Sequence, residues 1–298
     1  MKKMMACAMI LTLSLSLMAC SGNGDNSSQT NNSKQESSKQ EESSKKEDSS
    51  ATVKISGTAT GSGSTSVEPI IQQLKDEFEA KNPGTTIEYE GNSSGSGITA
   101  ANENVSMFGC ASRELKEEEK AFGMTVEAFA YDGIAAIVHP DNGVSDISME
   151  DLKKIYTGEV TNWKDLGGND APIVVVSREN GSGTKSAFEE LVGFEDSLVS
   201  DATIAEGNGN VQSTVASNPN AIGYVSFTYI DKTVKALTVE GVEATDANVK
   251  NSTYKISRPF LIFWHEENMN EVATAFVEFI MSAEGQAIVA EKAIPVAE

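Results

Sequence analysis

From Val53 onward, apolar positions alternate between two periods. Val67, Ile70, Ile71, Leu74 and Phe78 follow the three-and-four spacing of an amphipathic helix, and Asn82-Pro83-Gly84 supplies its stop. A short strand from Val53 precedes this helix, with a Gly/Ser/Thr loop between them. Thr85–Glu90 alternates as a strand does, Asn92–Gly97 is a second Gly/Ser loop, and a helix is predicted from about Ile98. Phe108–Ser112 reads as a short apolar strand and Glu114–Lys120 as a charged, exposed helix. Val126–Val138 is long, apolar and interrupted by Asp132-Gly133, which suits a strand passing from one lobe to another. Ser148 through Ile155 predicts a capped helix, with Asp151 a loose match to the capping-box position. Pro172–Ser177 is a buried-type strand, followed by the loop Arg178–Thr184 and a helix with Phe188, Leu191 and Val192 on its apolar face. Ala221–Phe227 and Phe260–Trp264 are further strands, and Val272–Val289 is predicted as one closing helix. Strands alternating with helices predict an α/β fold with largely parallel sheets.

The N-terminal stretch lacks this pattern. Met1–Lys3 is basic, and Ala6–Ala19 is apolar but too short to cross a bilayer core of roughly 30 Å as a helix. Residues 1–19 therefore read as a secretory signal peptide. Leu17-Met18-Ala19-Cys20 resembles a bacterial lipobox, in which Cys20 becomes the lipid-modified N-terminus. Ser21–Ala51 is almost entirely Ser, Asn, Gln, Lys, Glu, Asp and Gly, a composition with too little apolar surface to offset the entropy of ordering. Residues 20–52 are thus expected to be a disordered, lipid-anchored linker reaching roughly 30 Å on average.

Charge and cysteines narrow the chemistry. The formal net charge is −21, or −23 once Lys2 and Lys3 are removed with the signal. Nucleic acid is disfavoured as a partner, since its phosphate backbone demands a basic surface. Any anion site must then work through local, directed donors instead of long-range attraction. Of three cysteines, Cys7 leaves with the signal and Cys20 is acylated, so Cys110 has no disulfide partner and is expected in the core. Two histidines and scattered carboxylates give no metal-ligand spacing, and no cofactor is expected.

Three loops share one design: Thr60-Gly61-Ser62-Gly63-Ser64-Thr65-Ser66, Asn92-Ser93-Ser94-Gly95-Ser96-Gly97 and Arg178-Glu179-Asn180-Gly181-Ser182-Gly183-Thr184. Each lies between a predicted strand and the start of a predicted helix. A helix start carries unsatisfied N–H groups and the positive end of the macrodipole, glycine lets a ligand approach the backbone, and Ser or Thr adds a hydroxyl. Arg178 adds a guanidinium fork suited to tetrahedral oxyanions. Other anion motifs fail: Lys185 follows Thr184, which is not the P-loop order, and the first loop lacks the last glycine of a dinucleotide fingerprint. Gly91-Asn92-Ser93-Ser94-Gly95 does match a nucleophile elbow, but Ser93 would need a base, and His139 and His265 both read as structural or exposed. A secreted serine hydrolase is the weaker alternative, and the chain is read as a binding protein, not an enzyme.

These loops, in this order, resemble the PstS-type phosphate-binding proteins, the substrate-binding lipoproteins of ABC phosphate importers. The resemblance also rests on Phe108-Gly109-Cys110-Ala111-Ser112-Arg113, Asp132-Gly133-Ile134-Ala135, Tyr156 through Trp163, Ile222-Gly223-Tyr224 and Ser257-Arg258-Pro259. It implies a two-lobed, type II periplasmic-binding-protein fold with a ligand cleft between the lobes. Lobe I would be residues 53–131 plus 256–298 and lobe II residues 132–255, hinged near Tyr131–Gly133 and Lys255–Arg258. The implied phosphate ligands are Ser64, Thr65, Ser66, Ser94, Arg178, Ser182, Gly183 and Thr184, with Thr65 giving its hydroxyl and Ser66 its N–H.

Some relatives carry an aspartate at the position of Ser112, where it accepts the proton of bound hydrogen phosphate and so rejects sulfate. Ser112 can accept as well, and Asp132 is a candidate substitute. Neutral Asn180, where relatives have an acidic residue, is expected to leave the charge of Arg178 available. The implied partners are inorganic phosphate, the transmembrane subunits of an ABC permease, and the outer face of the cell membrane through the N-terminal lipid. Sulfate or molybdate is the alternative ligand.

Overall fold

The computed structural model describes residues 54–297. The signal peptide, the Cys20 lipidation site, the 20–52 linker and Val53 lie outside the described residues.

One mixed sheet runs through the molecule in the order Thr85–Gly91, Gly57–Gly63, Phe108–Ala111, Ser257–Trp264, Thr125–Val138, Ala221–Ser226, Val174–Arg178, Thr203–Ala205. The first three strands are mutually parallel, and so are the last three. The expectation of largely parallel sheets holds only for these flanks. Thr125–Val138 and Ser257–Trp264 run antiparallel to each other and to their outer neighbours. The reason is topological: parallel neighbours are joined by helical crossovers, whereas these two central strands carry the chain across and back.

The long crossing strand Thr125–Val138 feeds two separate cores. Phe129 and Ala130 pack with Ile70, Leu74, Phe78, Phe108 and Phe276. Ile134, Ala136 and Val138 pack with Tyr156, Trp163, Phe188, Phe194 and Tyr224. Between them Tyr131 is exposed and Asp132 buried, so the apolar run is broken where the cores change. Cys110 is fully buried in the first core, beside the Tyr89 hydroxyl, and burial pushes its thiol far above the ordinary range.

Local chemistry explains most element ends. Ser148 Oγ accepts from Asp151 N at 3.0 Å and donates to the Asp151 carboxylate at 2.7 Å, so Ser148 caps the helix, while Asp151 meets the cap hydroxyl and not its backbone N–H as a capping box would. The predicted closing helix is instead two, Glu271–Met281 and Ala283–Val289, bent by 69°. Ser282 ends one and caps the other, accepting from Gly285 N at 3.1 Å and donating to Phe279 O at 2.7 Å. A Cβ at Gly285 would meet the Phe279 carbonyl at 2.0 Å, so only glycine permits this bend. The apolar period continues across the break, which is why pattern alone joined the two.

Three boundaries also shift. Gly57–Gly63 absorbs half of the first loop, the second helix starts at Ser94 instead of Ile98, and the acidic helix is one turn, Glu117–Lys120. The strand Thr203–Ala205 and the helix Gly207–Ser217 had no predicted counterpart, because Gly207-Asn208-Gly209-Asn210 is poor in helix formers.

Candidate functional site

The three loops converge. Each leaves the carboxyl end of a parallel strand, the place where open α/β sheets present ligand-binding turns. The second and third loops touch through Gly95 N, which donates to Gly181 O at 3.0 Å. Gly183 sits so tightly that a Cβ there would lie 2.1 Å from Ser94 Oγ and 2.8 Å from Ser112 Oγ.

Within this junction the hydroxyls form a connected set. Ser64 Oγ donates to Ser112 Oγ at 2.8 Å, and Ser94 Oγ accepts from Ser112 N at 3.1 Å. Ser66 Oγ and Thr184 Oγ1 are 2.9 Å apart. Ser66 N, expected to face a ligand, is directed instead to Ser64 Oγ at 3.1 Å. Ser182 caps the helix Gly183–Val192 through its Oγ, which accepts from Lys185 N, leaving the N–H groups of Gly183 and Thr184 without intrahelical acceptors. Ser64, Ser66, Ser94, Ser112, Ser182, Gly183 and Thr184 are buried, and Thr65 is half-buried. Ser93 is a helix cap whose Oγ accepts from Ser96 N at 3.1 Å and pairs with Ser96 Oγ at 2.8 Å, and neither His139 nor His265 bonds to it.

Two guanidinium groups belong to the site, where sequence analysis placed one. Arg178 is held from behind by the second core: Tyr224 stacks on Phe188 at 4.2 Å, and the Tyr224 hydroxyl accepts from Arg178 N at 3.3 Å. Its Nε and Nη2 grip Glu179 at 2.8 and 2.7 Å, while Nη1 is buried with no hydrogen-bond partner among the described residues. This corrects the reading of Asn180. The acidic residue beside the arginine is Glu179, and Asn180 accepts from Lys185 Nζ.

Arg258 comes from the return strand Ser257–Trp264. It donates from Nε and Nη2 to Asp132 Oδ2 at 3.3 and 3.0 Å, from Nη1 to Ser112 O at 3.0 Å, and from Nη2 to Ser66 Oγ at 3.0 Å. The register Arg258↔Asp132 across the two central strands sets this pair. Asp132 therefore lies behind Arg258, and its other oxygen accepts from Phe227 N at 3.2 Å. Oδ2 is engaged as the counter-ion of Arg258 and Oδ1 by the Phe227 N–H, so the carboxylate faces the arginine and the Phe227 backbone, an arrangement that does not favour its expected role as proton acceptor. Burial pushes the Asp132 carboxyl up to about 6, against the pull of Arg258. With Arg178 paired to Glu179 and Arg258 to Asp132, the site has no net charge, and directed donors must supply its attraction for an anion.

Burial works to raise Glu179 as well, but the hydrogen bonds and charge of Arg178 override it and hold the carboxyl below its ordinary 4.5. A depressed carboxylate contributes stability that is present above the unfolded-state value and is lost as pH falls through the folded one. Glu179→Gln is expected to flatten the acid limb of stability below 4.5, read from urea midpoints over a pH series. An identical slope in the two proteins would contradict the pairing.

Comparison with known proteins agrees with this geometry. A family model described as a PBP superfamily domain matches residues 37–284. The phosphate-binding protein PstS of Bacillus subtilis (strain 168) is 32% identical over 236 residues, covering 77% of this chain and 77% of the relative. A putative phosphate ABC transporter substrate-binding protein from Clostridium perfringens, solved with bound phosphate, is 51% identical with a TM-score of 0.80, covering 80% of this chain and 100% of its own. An ABC-type phosphate transport receptor from Vibrio cholerae is 34% identical with a TM-score of 0.68, covering 80% and 100%. By its matched domain and by this identity across most of both chains, the protein belongs to the PstS phosphate-binding proteins of the PBP superfamily.

Proposed function

We propose that this chain captures inorganic phosphate outside the cytoplasm and delivers it to an ABC-type permease. The observation that carries this reading is the buried, unpartnered Nη1 of Arg178, on a guanidinium whose Nη2 reaches Thr65 Oγ1 at 3.5 Å and in the loop that opens the helix start with the Gly183 and Thr184 N–H groups. An uncompensated buried donor is costly, and a tetrahedral anion would supply its acceptor. The proposed ligands are Ser64, Thr65, Ser66, Ser94, Ser112, Arg178, Ser182, Gly183 and Thr184, with Asp132 acting one step back through Arg258.

Ser112 takes the selective role. Its Oγ accepts from Ser64 and keeps a second lone pair for the proton of hydrogen phosphate. Sulfate has no such proton and leaves that lone pair unpaired, although the Ser112 hydroxyl can turn its own hydrogen to sulfate and so discriminates less than a carboxylate.

Residues 53–131 plus 256–298 and residues 132–255 act as lobes hinged at Tyr131–Gly133 and Lys255–Arg258, and Cys20 anchors the protein to the membrane through its lipid. Closure follows from the gain in binding that the anion makes only when both lobes reach it. Gly183→Ala puts a methyl group against Ser94 and Ser112, and is expected to hold the lobes apart and weaken phosphate binding by at least ~10-fold. Wild-type affinity in this variant would contradict the closed geometry. The delivery role is tested by radiolabelled phosphate uptake at low external phosphate. Uptake should fall when the protein is removed and return with the wild type but not with an Arg178 variant; unchanged uptake after removal would refute delivery.

A further inference from the structure

Asn208 is fully buried in the first turn of the helix Gly207–Ser217 and was not among the residues sequence analysis selected. Its Oδ1 accepts from Ser226 N at 3.1 Å. A backbone N–H can only donate, so this bond fixes which way the amide faces. Nδ2 must then point at the first loop, donating to Thr65 Oγ1 at 3.0 Å and to Ser66 Oγ at 2.9 Å.

A hydroxyl has two lone pairs and one hydrogen. Ser66 Oγ receives N–H groups from both Asn208 and Arg258 Nη2, the latter at 3.0 Å, so both its lone pairs are taken. Its hydrogen is all it has left to offer, and Thr184 Oγ1 stands 2.9 Å away to receive it. Thr184, once an acceptor, can turn its own hydrogen into the loop junction. Thr65 Oγ1 is treated alike, held by Asn208 and approached by Arg178 Nη2 at 3.5 Å.

We propose that Asn208 is a positioning residue for anion capture: it locks the Thr65 hydroxyl as a donor and makes Ser66 donate to Thr184, so that the anion meets the Thr65 and Thr184 hydrogens and no competing lone pairs on this side. It also spans the junction, joining the helix after the Thr203–Ala205 strand to the first loop. The assignment rests on the phosphate-capture reading above. Without Asn208, Ser66 regains a free lone pair and can accept from Thr184, which takes the Thr184 hydrogen away from the anion.

The test is a double-mutant cycle on the purified full chain, with inorganic phosphate as the titrant in calorimetry. Asn208→Ala is expected to weaken binding roughly 10- to 100-fold, as for loss of a hydrogen bond to a charged group. Ser66→Ala should cost a similar factor in the wild type but under about 3-fold in the Asn208→Ala background, because the hydroxyl is no longer directed. A merely structural Asn208 would leave the Ser66→Ala factor equal in both backgrounds, and that result overturns the proposal. So would wild-type affinity in Asn208→Ala.

If Asn208→Ala does not fold, Asn208→Asp keeps the shape and offers acceptors in place of donors. It should bind phosphate more weakly than the wild type by at least about 100-fold, and wild-type affinity would overturn the proposal. Absence of phosphate binding by the wild type would instead refute the capture reading itself.

Discussion

Arg178→Met is expected to weaken phosphate binding by roughly 30- to 5,000-fold, the range of 2–5 kcal/mol found when one partner of a buried, charge-assisted hydrogen bond is truncated. Methionine nearly fills the volume and keeps the packing under Tyr224 and Phe188, so the loss reports donors and charge instead of a cavity. Three effects coincide: the free Nη1 donors vanish, the positive charge vanishes, and Glu179 is left facing the site without its counter-ion. Arg178→Lys should recover only a small part, since an ammonium cannot grip Glu179 bidentately and still reach the anion. Phosphate titration checks this, and an Arg178→Met protein within about 3-fold of wild-type affinity would remove Arg178 from the binding machinery.

The second large effect falls on stability. Asp132→Ala strands the Arg258 guanidinium, which is 4% exposed, and is expected to cost about 3–5 kcal/mol in urea unfolding. The raised Asp132 carboxyl already records the desolvation cost of ionising that site. That cost belongs to the pair, and removing one member leaves the other uncompensated. The companion change Arg258→Met should therefore restore much of the stability lost in Asp132→Ala, while phosphate binding stays weak because Ser66 has lost a donor. A loss of less than about 1 kcal/mol in Asp132→Ala would mean that solvent reaches Arg258 and that the pair is not a buried framework.

The parts of this site that were legible in the sequence are those with a local signature. Each of the three loops combines glycines and hydroxyl residues with an apolar helical period just downstream, and all three loops meet in space. Cys110 was legible for a similar reason, lying in a short apolar run that becomes a buried strand. The rest depends on contacts between distant residues. Arg258 and Asp132 meet only because two strands pair antiparallel across the sheet centre, and no spacing within either segment announces that register. Asn208 lies 143 residues from Thr65, inside a Gly/Asn run that reads as a loop because its helix is stabilised by tertiary packing and not by propensity. Glu179 was in view beside Arg178, yet its neighbour Asn180 was read as the electrostatically important position. Only the side-chain directions separate the two. The common lesson is electrostatic: in a chain of net charge −21 whose two site arginines are paired with carboxylates, directed hydroxyl and N–H donors and the free Nη1 of Arg178 must hold the anion.

That balance is tested most directly by calorimetric titration of the purified chain with phosphate and, separately, with sulfate. The account predicts one phosphate per chain at micromolar affinity or tighter, and sulfate roughly 10-fold weaker, because only phosphate brings a proton to the Ser112 lone pair. Sulfate binding as tightly as phosphate, or no phosphate binding at all, would contradict it.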